Sequence, residues 1–392
     1  MASIKLKGDT SGEVTISAPA VAGTTTLNLP ATSSTLATQN ALGVRNLIIN
    51  GDMSVAQRAT SYAGVNGNNI HTVDRWYNIQ VNSGVYTHTQ DSDTPDGFGK
   101  SLKIECTTAS ASLAASDFLR INQQIEAQFL QHLAYGTASA KTMTLSFWVK
   151  SNKTGTYGAW LYQPDGSRHI GKSYTINSAD TWEHKTITIE GDTSGTINND
   201  NGAGLTVAWY LAAGTDFTSG THATAWEALT NANRLPSGQV NFADSTSNYI
   251  NITGLQLEVG TEATPFEHRP YDMELARCER YYQKSYSYET VPATTFTNGS
   301  IHAVQFSWGS SNAGSIAGIT VPFQTRMRNT PTLNIYDQAG NLGKLTTLDA
   351  GAGTTNNISP NQLVAGQNHI QLRLYNNSKY GAEFAYTVDA EL

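Results

Sequence analysis

The sequence predicts an all-β fold, and three observations carry that prediction. Many short segments alternate apolar and polar residues with a period of two, which is typical of half-buried strands. Turn pairs such as Asn66-Gly67 and Asp165-Gly166, whose residues tolerate a positive φ, separate those segments. Only 14% of the 392 residues are charged, against about 25% in ordinary soluble domains. Helical periodicity is scarce, so the expected class is all-β with polar loops.

The positions of the strands follow from the alternation. In residues 143–150 the odd positions are apolar, which predicts a half-buried strand with Trp148 on the face away from the core. Trp209 is in phase with Val207 and Leu211 and is therefore expected inside the core. The same alternation predicts strands at residues 14–17, 26–29, 102–105, 158–162, 186–190, 205–211, 301–308, 370–374 and 383–388.

Three segments break the simple alternation. Within Tyr249–Val259 the apolar phase shifts by one residue, which predicts a bulge at Thr253-Gly254. Residues 122–135 and 273–282 carry apolar side chains at helical spacing, and each is expected to form a helix. Prolines on both sides of the second segment place a junction between two β domains there.

Composition divides the chain into four parts. Residues 1–44 contain two short alternating units and almost no aromatic side chains, and alone they cannot bury enough apolar area to fold. They therefore need a partner surface, which is either copies of themselves or another protein. Residues 45–270 are expected to form a central β domain, residues 271–284 a connector, and residues 285–392 a C-terminal β-sandwich.

Charge, hydropathy and cysteine content exclude several function classes. The net charge of −7 and the pI near 5.7 remove the electrostatic basis for binding nucleic acid. No run approaches the roughly 20 apolar residues of a membrane-spanning helix, so membrane insertion is not expected. The N-terminus lacks the apolar core of a signal peptide. Cys106 and Cys278 are too few for a disulfide framework and are expected to be inert thiols.

A search for catalytic and metal-binding patterns is negative. The sequence contains no nucleophile elbow, zincin motif, phosphate loop or dinucleotide fingerprint. Its nine histidines are dispersed, and residues 91–97 resemble the start of a calcium loop without the closing glutamate. We therefore expect a binding protein with no catalytic residue, cofactor or metal. A pair of carboxylates placed as in a glycosidase remains an open alternative, because sequence alone gives no distances.

Aromatic side chains carry the more useful functional signal, because sugar rings stack on flat aromatic surface beside polar groups. In the central domain Trp148, Trp160 and Tyr162 stand on polar strand faces or among polar neighbours. The alternative is that they pack under a loop or at a subunit interface. In the C-terminal domain, polar loops rich in small residues lie beside further aromatics. The candidate glycan-binding residues are Trp148, Trp160, Tyr162, Trp308, Tyr375 and Tyr380.

Several patches of the sequence resemble tail fibres of tailed bacteriophages. Residues 46–53, with the sequence NLIINGDM, are similar to the opening strand of the jelly-roll modules in those fibres and, more distantly, in carbohydrate-binding modules. Further patches resemble the fibres in the same order along the chain. They lie at residues 16–19, 26–30, 73–77, 144–150, 181–182, 255–260, 264–267, 274–282, 321–331 and 389–392.

The resemblance implies a virion protein of the tail, usually a homotrimer, that is assembled in the host cytoplasm. Residues 1–44 would attach it to other tail proteins, and the jelly roll of residues 45–270 would be a stem. Residues 285–392 would then bind a glycan on the host surface, although the central aromatics suggest that the jelly roll binds the sugar instead. Rival functions are a head fibre or capsid decoration protein and a glycan-cleaving tailspike enzyme.

Overall fold

The computed structural model describes residues 3–7, 11–17, 45–295, 301–304, 316–349, 353–375 and 379–392. The chain separates into two compact units, residues 1–42 and 43–392. In the first unit, β1 (Ser3–Lys7) and β2 (Glu13–Ser17) pair as an antiparallel hairpin. The first predicted strand is thereby confirmed, and the strand predicted at 26–29 lies outside the described residues.

The central domain is a β-sandwich of two six-stranded antiparallel sheets. The strands of sheet I are β4 (Tyr77–Val81), β7 (Phe118–Glu126), β9 (Gly155–Gln163), β10 (Arg168–Ile176), β12 (Ala203–Ala213) and β13 (Glu227–Ala228). The strands of sheet II are β3 (Ser61–Val65), β5 (Val85–Asp91), β6 (Ser101–Thr108), β8 (Met143–Ser151), β11 (Glu183–Ile189) and β14 (Tyr249–Val259). The spatial orders are β13-β10-β9-β12-β7-β4 and β11-β8-β14-β6-β5-β3.

The connectivity is that of a jelly roll. The chain crosses from one sheet to the other between β7 and β8, between β8 and β9, between β10 and β11, and between β11 and β12. Strands are present at every segment of the central domain where the alternation predicts one. The all-β prediction is therefore confirmed for this domain.

The core of the sandwich lies between the inner faces of the two sheets. Phe147 of sheet II and Trp209 of sheet I meet edge to face with ring centroids 5.6 Å apart. Trp76 reaches the same indole at 5.5 Å, and all three side chains are buried. Trp148, the neighbour of Phe147, is only half-buried and lies on the outer face of sheet II. Both predictions about these tryptophans are confirmed.

The predicted bulge is present in β14. Its register against β8 shifts between Thr253 and Gln256, and Gly254 has a φ of +62°. A residue with a side chain rarely adopts that conformation, so the glycine is needed where the strand absorbs the extra residue.

The segment at 46–53 is not a strand. Asn50 and Met53 both have positive φ values, 58° and 59°, which break an extended backbone. The amide of Asn50 donates hydrogen bonds of 2.9 Å to the carbonyl oxygens of Val55 and Asp74. The expectation of an opening strand is therefore wrong, and this segment is a buried turn held by its own asparagine.

The helix predicted at 122–135 is also wrong. The first part of the segment completes β7, and two single 3₁₀ turns follow at Ala127–Phe129 and Gln131–Leu133. Ile125 is an inward residue of the strand, whereas Leu133 reaches the same core from a turn. The helical spacing of apolar residues therefore comes from two different kinds of element that face one core.

The described residues after the central domain form one α-helix and a second β-sandwich. Helix α1 spans Tyr271–Glu279, close to the predicted segment. The strands are β15 (Tyr282–Lys284), β16 (Ile301–Val304), β17 (Ile316–Pro322), β18 (Thr332–Tyr336), β19 (Leu345–Asp349), β20 (Gly353–Ile358), β21 (Gln362–Ala365), β22 (His369–Tyr375) and β23 (Lys379–Asp389). One sheet has the order β15-β23-β19-β20, with β16 and β18 also on β23, and the other is β17-β22-β21. The two sheets share a core that includes Ile335, Leu372 and Phe384.

A buried group of charged and aromatic side chains joins the two sandwiches, and we call it the junction network. Arg58 stacks on the ring of Tyr282, 3.7 Å from its centroid, and Arg75 stacks on Tyr281 at 3.4 Å. Both guanidinium groups donate to the carboxylate of Glu391, Arg58 at 3.3 Å. Three of the patches that resemble phage fibres meet in this network. Their role in this chain is to hold the domains together.

Candidate functional site

The outer face of sheet I carries a second apolar cluster, separate from the sandwich core. It contains Trp160, Ala208 and Tyr210 from the strands, and Phe217 and Leu235 from the segment that follows β12. The segment 214–241 thus folds back over part of this sheet face. We call the polar and aromatic part of the surface the aromatic-arginine face; its members are Arg120, Trp160, Tyr162, Tyr210 and Arg234.

Strand alternation brings the aromatic residues to this face. Trp160 and Tyr162 are two residues apart on β9 and therefore point to the same side of the sheet. Ala208 of β12 and Gly171 of β10 stand directly opposite Trp160. Because both neighbours are small, the indole has room to lie over the sheet.

The rings of Trp160 and Tyr162 form a flat stack. Their centroids are 5.2 Å apart, and the ring planes differ by only 6°. Trp160 is 2% exposed, whereas Tyr162 is half-buried. Trp160 is therefore packed inside the protein, which is the alternative that the sequence left open. Tyr162 is the member of the stack that reaches the surface.

Trp160 is held in place by a buried histidine of the neighbouring strand β10. Its indole N–H donates to Nδ1 of His169 at 3.0 Å. The other ring nitrogen, Nε2, lies 3.3 Å from Oε1 of Glu227 and 3.3 Å from the backbone nitrogen of Thr230. Burial lowers the pKa of His169, which keeps the ring neutral and able to accept from the indole. The stack is thus fixed before any ligand arrives.

Two arginines flank the stack. The guanidinium carbon of Arg234 lies 4.6 Å from the centroid of Trp160, and that of Arg120 lies 4.9 Å from it. Both arginines donate through Nη1 to the hydroxyl of Tyr210, at 3.0 Å and 3.3 Å. Tyr210 is buried, so this hydroxyl serves as the common anchor of two cations.

Trp148 belongs to a different surface, on the outer face of sheet II. Its ring centroid lies 5.1 Å from that of the exposed His184. Nearby, the indole of Trp182 donates to Asp93 at 3.1 Å, and Lys150 forms an ion pair with the same carboxylate. The charged groups of this second surface therefore satisfy each other.

The three C-terminal candidates lie wholly or partly outside the described residues. Trp308 lies outside the described residues, and so do most residues of the neighbouring polar loops. Tyr375 is the last residue of β22, and Tyr380 lies in β23. For both residues only the backbone is described.

Sequence reasoning missed Arg120, Tyr210 and Arg234. The first two could have been found, because they alternate with core residues of β7 and β12 in the same way as Trp160 does on β9. Arg234 could not, because it comes from a loop that no periodicity locates. Its position depends on how the segment 214–241 folds back over the sheet.

In the described residues, no group of three or more His, Cys, Asp or Glu side chains is placed to hold a metal ion. A cavity beside Asp52, lined by Asn46 and Glu274 among others, has a volume of about 10 Å³. That is room for roughly one water molecule. No helix in the described ranges has the length and apolar character needed to cross a membrane.

Comparisons with known proteins give distant structural similarities. No family model matches the sequence, and no curated protein matches it. The enzymatically active domain of tailspike protein 4 of bacteriophage CBA120 is similar at a TM-score of 0.30 and 13% identity, over 55% of this chain and 21% of that chain. A putative sugar-binding protein from Bacteroides thetaiotaomicron is similar at 0.30 and 12%, over 55% of this chain and all of that chain.

A family 11 carbohydrate-binding module from Clostridium thermocellum, solved with a mixed-linked tetrasaccharide, is similar at a TM-score of 0.26 and 13% identity. That match covers 52% of this chain and 97% of the module. The similarity is low in every case, so function is inferred from the residues of this chain itself.

Proposed function

We propose that this chain is a glycan-binding protein of a phage virion, and that the aromatic-arginine face contacts the sugar. The observation that carries the proposal is the stack of Tyr162 on Trp160, which His169 holds in a fixed orientation. A rigid aromatic ring at the surface lets a sugar stack on it without first losing side-chain freedom.

Polar groups beside Tyr162 supply partners for sugar hydroxyls. The register of sheet I places Thr206 directly opposite Tyr162, and Gln124 opposite Thr206. Gln124 is half-buried, and its Nε2 lies 3.5 Å from the hydroxyl of Thr206. A flat ring beside an amide and a hydroxyl, with two guanidinium groups on the adjoining indole of Trp160, has the composition of a shallow sugar site.

The first test compares one aromatic side chain from each of the two surfaces. Tyr162→Ala is expected to weaken glycan binding by about tenfold, because the stacking surface is lost. Trp182→Ala is the matched control, since it removes a half-buried aromatic that directly precedes β11 and donates to Asp93 on the second surface. Binding is measured on a glycan array and confirmed by isothermal titration. A loss with Trp182→Ala and none with Tyr162→Ala would assign the function to the second surface and refute this site.

The virion role rests on the sequence resemblance together with the organisation of the chain. Residues 1–42 form their own unit, in which the described strands are one hairpin. We propose that this segment attaches the protein to other tail proteins and that the protein is a homotrimer. A chain that starts at residue 45 should fail to enter particles, and light scattering of the full chain should give three copies.

The attachment point and the absence of catalysis are parts of the same proposal. Immunogold labelling of virions should place the protein on the tail, and label on the capsid would support the head-fibre alternative. Purified protein should release no reducing sugar from a glycan that it binds. Release of reducing ends would favour the tailspike enzyme.

A further inference from the structure

We infer that the glycan bound at the aromatic-arginine face is anionic, and that Arg120 and Arg234 pair with its negatively charged oxygens. This inference rests on the proposed function, because it names the chemical class of the ligand for that same site. Its basis is the way in which the two cations are held.

Arg120 and Arg234 are neighbours. Their Nη1 atoms both lie within hydrogen-bond distance of the same hydroxyl, that of Tyr210. Their guanidinium groups also share the ring of Trp160 as a cation-π partner. Two positive charges held this close repel each other, and an aromatic ring compensates only part of that repulsion.

Neither arginine has an acidic partner at ion-pair distance among the described residues. Arg234 also donates to the amide oxygen of Asn231 at 2.6 Å, and every protein group that accepts from the two guanidinium groups is neutral. The Nε atoms of both arginines are buried without a hydrogen-bond partner. Five other arginines differ, since each meets a carboxylate at 3.0 Å or less: Arg58, Arg75, Arg168, Arg269 and Arg280. Arg326 and Arg328 also donate to neutral acceptors, but these are a side-chain amide and backbone carbonyls, and within the described ranges neither arginine stacks on a shared ring.

The two arginines form a local concentration of positive charge in a chain that is acidic overall. Its net charge is −7, so a cationic surface is not a general property of the protein. An oxyanion between the two guanidinium groups would compensate their repulsion and accept directed hydrogen bonds from both. A sugar carboxylate or a phosphate group can do this while the adjoining ring stacks on Tyr162. Neutral sugars leave the two charges uncompensated.

Binding assays with charged probes and their neutral counterparts test the inference. The probes are oligogalacturonate, its methyl ester, a glycerol-phosphate oligomer and a neutral galacto-oligosaccharide. At least one anionic probe should bind tenfold or more tightly than the neutral ones, and its affinity should fall as salt increases. The oligogalacturonate and glycerol-phosphate arms distinguish a carboxylate ligand from a phosphate ligand.

Substitutions in the full chain link the preference to the two arginines. Arg120→Gln and Arg234→Gln should each reduce the affinity for the anionic probe by tenfold or more, and Arg120→Lys should restore part of it. Arg326→Gln is the matched control, because it removes an exposed arginine from the C-terminal domain and should change nothing. Thermal unfolding of each variant confirms that the fold is intact.

The possible failures are distinguishable. If the neutral probes bind as tightly as the anionic ones, the ligand is a neutral glycan, and this inference is wrong while the proposed function stands. A preference for anionic probes that survives both arginine substitutions also overturns it. If the protein binds nothing on a broad glycan array, the proposed function itself fails, and this inference fails with it.

Discussion

Replacing Glu391 by glutamine removes the one negative charge that both junction arginines share. The carboxylate is 8% exposed and accepts hydrogen bonds from Arg58 and Arg75, whose side chains are 11% and 2% exposed. Glutamine keeps the size of the side chain and one acceptor oxygen. The substitution therefore isolates the charge, and it removes the carboxylate partner of Arg75 while Arg58 keeps its ion pair with Asp389.

The magnitude follows from the pKa of the carboxyl. Burial alone would raise the pKa of Glu391, but the charges of Arg75, His71 and Arg58 outweigh it and hold the value at about 2, against an ordinary 4.5. This difference corresponds to about 3 kcal/mol of folding stability at neutral pH. Because the pKa is lower in the folded state, the stabilisation is complete above pH 4.5 and is lost as the pH falls toward 2. Leaving a buried arginine without its carboxylate partner lowers the free energy of unfolding by a similar amount.

Urea unfolding followed by tryptophan fluorescence measures this contribution. At pH 7 the Glu391→Gln variant should be about 3 kcal/mol less stable than the wild type, and at pH 3 the difference should shrink to about half. Glu262→Gln, at an exposed position of the same chain, should cause little change at either pH. A difference below about 1 kcal/mol, or one that is the same at both pH values, would refute the assignment of this stability to the charge.

Three further substitutions test other parts of the fold. His88 is 2% exposed and burial lowers its pKa to about 4, so the protein should lose stability as the pH falls from 6.5 toward 4. His88→Gln should flatten the urea-midpoint titration over that range, and an unchanged slope would contradict this explanation. Trp209→Ala should cost about 3–5 kcal/mol in urea unfolding, because the ring joins both sheets. A loss under 1 kcal/mol would mean that the sandwich core lies elsewhere. Gly254→Ala places a Cβ 2.7 Å from the ring of Phe98 at a φ of +62° and should lower stability by more than about 1 kcal/mol, measured in the same way.

Much of the fold could be predicted because sheet faces impose a period of two. The alternation alone predicts that Phe147 and Trp209 are core residues. It also predicts a bulge in β14, where the apolar phase shifts by one residue. The turn at 46–53 could not be read, because its apolar residues suggest a strand while positive φ values at Asn50 and Met53 forbid one. Long-range hydrogen bonds fix that turn, and local sequence does not contain them.

The candidate site was predicted only in part. Trp160 and Tyr162 are readable as outward residues of one strand, but the exposure of each depends on what covers it. The segment 214–241 covers Trp160 and brings Arg234 beside it. Apart from the two residues of β13, this segment consists of turns and loops without a regular apolar period, so the sequence indicates the aromatic ring without its charged neighbours.

The junction network also has a mechanical consequence. A pull on the C-terminal sandwich passes to the central one through Arg58, Arg75 and Glu391 as well as through the peptide chain of the connector. The connector is itself clamped, since Glu126 of β7 accepts hydrogen bonds from Arg280 at 2.7 and 2.8 Å. Load is thus shared among several parallel attachments, so that the peptide chain of the connector does not carry it alone.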